Sequence, residues 1–324
     1  MADAFLILVL LADATARGAA PLVLAALGGL FTERSGVVDI GLEGKMLASA
    51  FAAAATAAVT GSAWAGLGAG IAAAILLALV HAFACVTHHG NQVVSGMALN
   101  ITVSGLTVVL GYAWFQEGGQ TPLLGAGARF GPIELPGAAA LAGVPGIGLI
   151  YGEVLSGHNV LVYLAAAAVP VVAWLVYRTR FGLRLRAVGE SPGAVDTAGI
   201  SVSATRYQAL VMGGVLCGLS GAYLSIAHHA SFIRDMSAGK GYLALAALIF
   251  GQWRPAPTLT ACLLFAFADA AQVRLQGTPL PFVGVVPVQL IQAIPYVLTV
   301  CLLAGFVGRA VAPRAIGIPY VKER

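Results

Sequence analysis

The sequence predicts an all-α, polytopic integral membrane protein with about eight to ten transmembrane or re-entrant helices, and three observations predict it. Of 324 residues, 59% are hydrophobic and only 9% are charged, against roughly 25% charged in ordinary globular chains. No Asp, Glu, Lys or Arg lies between Met46 and Gln116, a stretch that no water-soluble fold could coat with polar surface. The apolar runs have helical length and strand-length alternation is missing, so helices rather than a barrel satisfy the backbone in lipid. Disorder, a soluble enzyme and nucleic-acid binding are poor readings. The net charge of +4 comes from arginines beside apolar spans, as on a basic cytoplasmic face, and not from aromatic-interleaved patches.

A helix needs about 20 apolar residues to cross the hydrocarbon core. Ala4–Ala12 reads as a first membrane-associated helix rather than a signal peptide, because Asp3 stands where a basic n-region belongs. Uncharged stretches then run over Met46–Thr60, Ala63–Val86, Val93–Phe115, Val160–Tyr177, Tyr207–Ala227 and Val288–Gly308, the first extended backwards past Lys45. Gly18–Thr32, Gly241–Trp253 and Pro255–Ala268 are shorter, the length of half-helices, re-entrant segments or spans with polar ends. Pro279, Pro281 and Pro287 break the chain ahead of the last span into a loop or re-entrant turn.

Orientation follows from Arg and Lys in short loops. Residues 178–206 carry five Arg against Glu190 and Asp196 and are expected to be cytoplasmic, as is the tail 309–324 with Arg309, Arg314, Lys322 and Arg324. Residues 117–157, with three Glu, one Arg and four Pro, are expected outside. Gly66 and Gly70, then Gly214, Gly218 and Gly221, place small residues on one helix face for close packing. Cys85, Cys217, Cys262 and Cys301 are far apart within apolar segments and read as small buried hydrophobes, without metal or dithiol spacing.

Within 178–206 the helix punctuation is strong. Ser191 can cap, Pro192 suits a first helical position and Gly199 offers a left-handed stop. A short helix over Pro192–Ala198, lying on the inner face, follows; a solvated connector is the plainer alternative. Residues 31–46 and the charges from Arg234 to Lys240 read as interfacial loops, or as loops that close against a partner.

Three ordered stretches carry a resemblance. FTERSGVVDIGLEGKML (31–47), YRTRFGLRLRAVGESPGAVDTAGI (177–200) and GKGYLALAALIFGQWRP (239–255) resemble the permease subunit of bacterial ABC importers. More narrowly, they are similar to the nucleoside and simple-sugar branch of the branched-chain amino acid/ribose permease superfamily, in the shorter form that pairs with a longer sister permease. The resemblance covers roughly residues 20 to 308. The chain departs from the family pattern at Asp39, where the pattern has Asn, and at Lys45, where it has a small or apolar residue.

The resemblance implies one transmembrane permease domain over 1–324 in the bacterial inner membrane, importing a nucleoside or related sugar by alternating access. The implied partners are a sister permease, an ATP-binding subunit and an extracytoplasmic solute-binding protein. It further implies that Arg186, Gly189, Glu190, Ser191, Pro192, Asp196 and Gly199 form the coupling segment that docks in a groove of the ATP-binding subunit. Closure of a nucleotide-binding dimer works on membrane helices only through a stiff element fixed to both. The pairs Gly44-Lys45 and Gly239-Lys240 lack the upstream glycine and following hydroxyl of a GxxxxGK[ST] phosphate cradle. ATP is thus expected in the partner, with no catalytic residue, cofactor or metal in this chain.

Intramembrane polar residues are the default candidates for the translocation path. Asn100 and Thr102, with Ser104, cluster in one span; Asp269 and Gln272, and then Gln289 and Gln292, are spaced to share a helix face. Bonding across helices is the competing role for each. The pairs His88-His89 and His228-His229 fall at span ends and read as interfacial packing, since helical neighbours diverge by about 100°. Ser220, between Gly218 and Gly221, imitates a nucleophile, but glycine packing explains the pattern. An ion-coupled carrier that acts alone and binds its cation at Asp269 and Glu43 is the rival reading.

Overall fold

The computed structural model describes residues 2–137, 144, 146–275, 279–280, 284–285, 293, 297 and 311–322. The longer α-helices among the described residues are α1 (Ala2–Arg34), α2 (Leu42–Thr60), α3 (Ala63–Ala82), α4 (Gln92–Phe115), α5 (Val160–Arg178), α6 (Arg180–Glu190), α7 (Pro192–Thr197), α8 (Val202–Tyr223), α9 (Lys240–Phe250) and α10 (Pro255–Leu275). Seven helices among the described residues are long and apolar enough to cross a membrane. Side-chain caps start several of them: Asn91 accepts from Val93 and Val94 N–H, Asn159 from Leu161 and Val162, and Ser201 from Ala204. Gly61, at φ +69°, closes α2.

The two pieces expected at Ala4–Ala12 and Gly18–Thr32 are one helix of 33 residues. Asp13 and Arg17, one turn apart, form an ion pair with each other, so neither charge ends it. Pro21 lacks an N–H and therefore leaves the Arg17 carbonyl without its helical donor. The Tyr223 hydroxyl, from α8, supplies that hydrogen bond at 2.9 Å, and Ser220 Oγ donates to the Pro21 carbonyl at 2.7 Å. Ser220 is thus a tie between α8 and α1. Pro255–Ala268 likewise belongs to a full-length helix, α10.

The glycine stripes do what their spacing predicts. A Cβ on Gly66 would come within 2.6 Å of the Ala53 carbonyl, one on Gly70 within 2.7 Å of Ser49 Oγ, and one on Gly218 within 2.6 Å of Ile71 Cα. Gly221 similarly abuts the Met46 carbonyl. These approaches bring α2, α3 and α8 together at the centre of the bundle, where Cys217 is fully buried. Cys85 and Cys262 are buried too. Cys301 and the span expected at 288–308 lie outside the described residues. Of the proline-broken segment, Pro279–Leu280 pairs antiparallel with Gly284–Val285.

Residues 117–137 and 146–159 cover one end of the bundle. Pro132–Ile133 pairs antiparallel with His158–Asn159, and Phe130 N–H donates to the Ile226 carbonyl at 2.9 Å. The opposite end carries α6, α7 and residues 311–322.

The chain after α8 departs from the interfacial loop expected near 234–240. Phe232 and Thr121 exchange hydrogen bonds of 2.9 and 3.1 Å at the outer end of α4, Asp235 meets Ser104 halfway along α4, and Gly239 reaches Glu43. Residues 229–239 therefore descend beside α4 as a non-helical limb, and α9 completes the crossing. Turn hydrogen bonds from Met236 to Ile233, Ala238 to Asp235 and Lys240 to Ser237 satisfy part of its backbone. The half-helix length expected for Gly241–Trp253 agrees with α9, which has 11 residues.

Candidate functional site

The first and third sequence motifs hold each other. Trp253 Nε1 donates to Glu33 at 2.5 Å, and Arg34 Nε donates to the Trp253 carbonyl at 3.0 Å. Glu43 accepts from the Gly239 and Gly241 amides at 2.8 and 2.6 Å, and so closes the N-terminus of α9 with a carboxylate. Residues 31–46 are therefore packed inside the bundle and are not an interfacial loop. Asp39 and Lys45 are fully buried and bonded at 2.7 and 2.5 Å. Burial raises the Asp39 carboxyl, but the Lys45 ammonium, His81 and the Gly41 amide outweigh it and hold it below the usual carboxylate range.

Asn100 is the brace of this junction. Its Oδ1 accepts from Gly44 N–H at 2.8 Å, and its Nδ2 donates to the Ile40 carbonyl at 3.0 Å and to the Tyr242 hydroxyl at 2.8 Å. One side chain thereby ties α4 to α2, to the loop before α2 and to α9. Thr102 is exposed on α4. Asp269 is exposed and Gln272 half-buried near the end of α10, one turn apart. Gln289 and Gln292 lie outside the described residues. What sequence reasoning did not foresee is that Ser104, one of the polar residues of the α4 cluster, meets Asp235 of the 234–240 charges at 2.8 Å, with Arg234 Nε 3.3 Å from the same carboxylate.

At the arginine-rich end, α6 and α7 form a two-helix unit. The helix expected at Pro192–Ala198 is observed as Pro192–Thr197 with Pro192 in its first turn, and Gly199 has φ +78°. Ser191 makes no side-chain cap. Its amide instead closes α6 on the Ala187 carbonyl at 2.9 Å, and the same residue opens α7. The sequence reading did not separate α6, although Phe181, Leu185 and Val188 at intervals of four and three mark its buried face. Thr179 Oγ1 caps it on Gly182 N–H at 3.1 Å.

The unit is fastened to the bundle. Gly189 packs against the Arg34 carbonyl, too closely for a side chain, and its own carbonyl accepts from Ala315 N–H at 2.8 Å. Arg186 lies 5.3 Å above the Tyr177 ring. Lys322 stands 3.4 Å from Asp196, and Arg206 donates to the Ser35 and Ile318 carbonyls at 3.2 and 3.3 Å. Residues 311–322 thus strap α6, α7 and the loop after α1 together. The outward face of the unit, with Glu190, Ser191, Ala194 and Ala198, borders an open apolar groove of about 730 Å³. Such an arrangement can transmit a push, because α6 is held at Gly189 and α7 at Asp196.

The model of the family described as branched-chain amino acid transport system, permease component, matches residues 11–313. The chain belongs to that family. It is 37% identical to the guanosine ABC transporter permease protein NupQ of Bacillus subtilis, with 99% of each chain covered. It is 37% identical to the nucleoside ABC transporter permease protein NupC of Lactococcus lactis, with 94% of each covered. A putative glucose ABC transporter permease protein of Haloferax volcanii is 38% identical over 94% of this chain and 93% of its own. As a multi-pass permease of this family the chain is a transport component. Its geometry also disfavours the ion-coupled rival, since both Glu43 carboxylate oxygens already hold backbone amides.

Proposed function

We propose that this permease imports nucleosides across a bacterial inner membrane, paired with a sister permease and served by an ATP-binding subunit and an extracytoplasmic solute-binding protein. Full-length similarity to guanosine and nucleoside permeases carries the reading. Residues 117–157 face outward to receive the loaded binding protein, and 178–206 face the cytoplasm, as the arginine count requires. Arg186, Gly189, Glu190, Ser191, Pro192, Asp196 and Gly199 make the coupling unit, which seats in a groove of the ATP-binding subunit. The bracing of α6 and α7 by Arg34, Ala315 and Lys322 supports that role, because a slack connector would absorb the stroke. Among the candidates for the path, Asn100 acts through Tyr242, and Thr102, Asp269 and Gln272 are next to test.

The deciding experiment is uptake of uridine, ribose and leucine by vesicles holding this permease and its three partners, with and without ATP. Uridine uptake that requires ATP supports the reading. Uptake of leucine alone, or uridine uptake that ignores ATP, overturns it.

A further inference from the structure

Ser104 is the thirteenth of the 24 residues of α4. At 1.5 Å per residue it lies about 18 Å from Gln92 and about 16 Å from Phe115, the middle of the crossing. The carboxylate it bonds, Asp235, has 53% of its side chain exposed, and Arg234 beside it 66%. Charges at that depth are costly in lipid, so they face the bundle interior or a water-filled cavity. The backbone agrees. Residues 229–239 are non-helical, which membrane interiors tolerate only where the segment is buried in protein or lines a cavity. The limb is also two-sided: Phe232, Met236 and Ser237 are buried, whereas Arg234, Asp235 and Ala238 are exposed. Asp235 and Ala238 hold left-handed backbone at φ +52° and +46°, a strain of the kind that collects at ligand contacts.

One helical turn from Ser104, Asn100 fixes the hydroxyl of Tyr242, a residue left 41% exposed. The strip thus offers a carboxylate and, about 6 Å further along α4, an aromatic surface. Resting on the nucleoside reading above, we propose that Asp235, positioned by Ser104, accepts the vicinal 2′- and 3′-hydroxyls of a ribose in transit while Tyr242 packs against the base. Ser104 on Oδ1 and Arg234 Nε on Oδ2 occupy two of the carboxylate's roughly four acceptor sites, and two neighbouring hydroxyls match those that remain. A single mid-membrane station of this kind binds strongly enough to admit solute and weakly enough to release it.

The test compares ATP-driven uptake of uridine and 2′,3′-dideoxyuridine by the complete complex, normalised to assembled complex. Wild type prefers uridine by about tenfold or more, the selectivity of hydrogen bonds to a charged group. Asp235→Asn brings the ratio within about twofold of unity, whereas Asp235→Glu keeps a preference. A merely structural Asp235–Ser104 bond predicts lower uptake of both solutes with the ratio unchanged, and that result overturns the proposal. An unchanged ratio in an Asp235→Asn complex that assembles and transports normally overturns it too, and leaves the nucleoside reading standing. A wild-type complex that moves no nucleoside refutes both.

Discussion

Lys45 and Asp39, the two positions at which the chain leaves the family pattern, are hydrogen-bonded to each other in the interior, with neither side chain exposed. The departures are one exchange rather than two. Lys45→Met alone or Asp39→Asn alone leaves a buried charge without its counter-ion, a loss of about 3–5 kcal/mol. The double variant removes both charges and is expected to recover most of that stability, as measured by thermal unfolding in detergent. A double variant as unstable as the sum of the singles contradicts this. The pH sign follows from the lowered Asp39: its contribution is fully present above the ordinary carboxylate value of 3.8 and is lost as pH falls through the folded one.

Tyr223 replaces the hydrogen bond that Pro21 denies to Arg17. Tyr223→Phe is expected to cost about 1 kcal/mol by leaving the Arg17 carbonyl without a donor in a partly buried site. In a Pro21→Ala background the new amide donates to Arg17 instead, so the same substitution costs measurably less. A double-mutant cycle by unfolding reads the difference; zero coupling would refute the account of the proline.

Glu43 anchors α9 from α2 through two amides. Glu43→Ala is expected to lower stability by about 2 kcal/mol or more, with Glu43→Gln intermediate. Hydrogen exchange at the amides of Gly239 and Gly241 should accelerate in the alanine variant; unchanged protection would remove Glu43 from that role.

Gly189 lies where any side chain meets the Arg34 carbonyl. Gly189→Ala is expected to part α6 from α1 and to lower solute moved per ATP hydrolysed by about fivefold or more, a coupling energy of about 1 kcal/mol. Transport and hydrolysis measured on the same vesicles check it. An unchanged ratio means that the stroke passes elsewhere.

Much of the fold was legible because a bilayer forces apolar runs of fixed length: the ends of α2, α3, α4 and α5 fall within four residues of the expected spans. Glycine stripes were legible for a similar reason, since backbone approach needs missing side chains. What escaped was nonlocal. The charges at Asp13 and Arg17 look like a break until they are seen to pair. The limb 229–239 looks like a surface loop, because its lining role comes from Ser104, Thr121 and Glu43, over a hundred residues away. Asn100 was singled out as polar in a span, but its three bonds across α2, α4 and α9 depend on how those helices meet.

The coupling claim is tested most directly by replacing Pro192–Thr197 with a flexible Gly-Ser segment of equal length and measuring ATP-driven uridine uptake in vesicles holding the permease and its three partners. The account predicts that uptake collapses while the chain remains inserted and ATP is still hydrolysed. Uptake per ATP equal to that of the unmodified protein contradicts it.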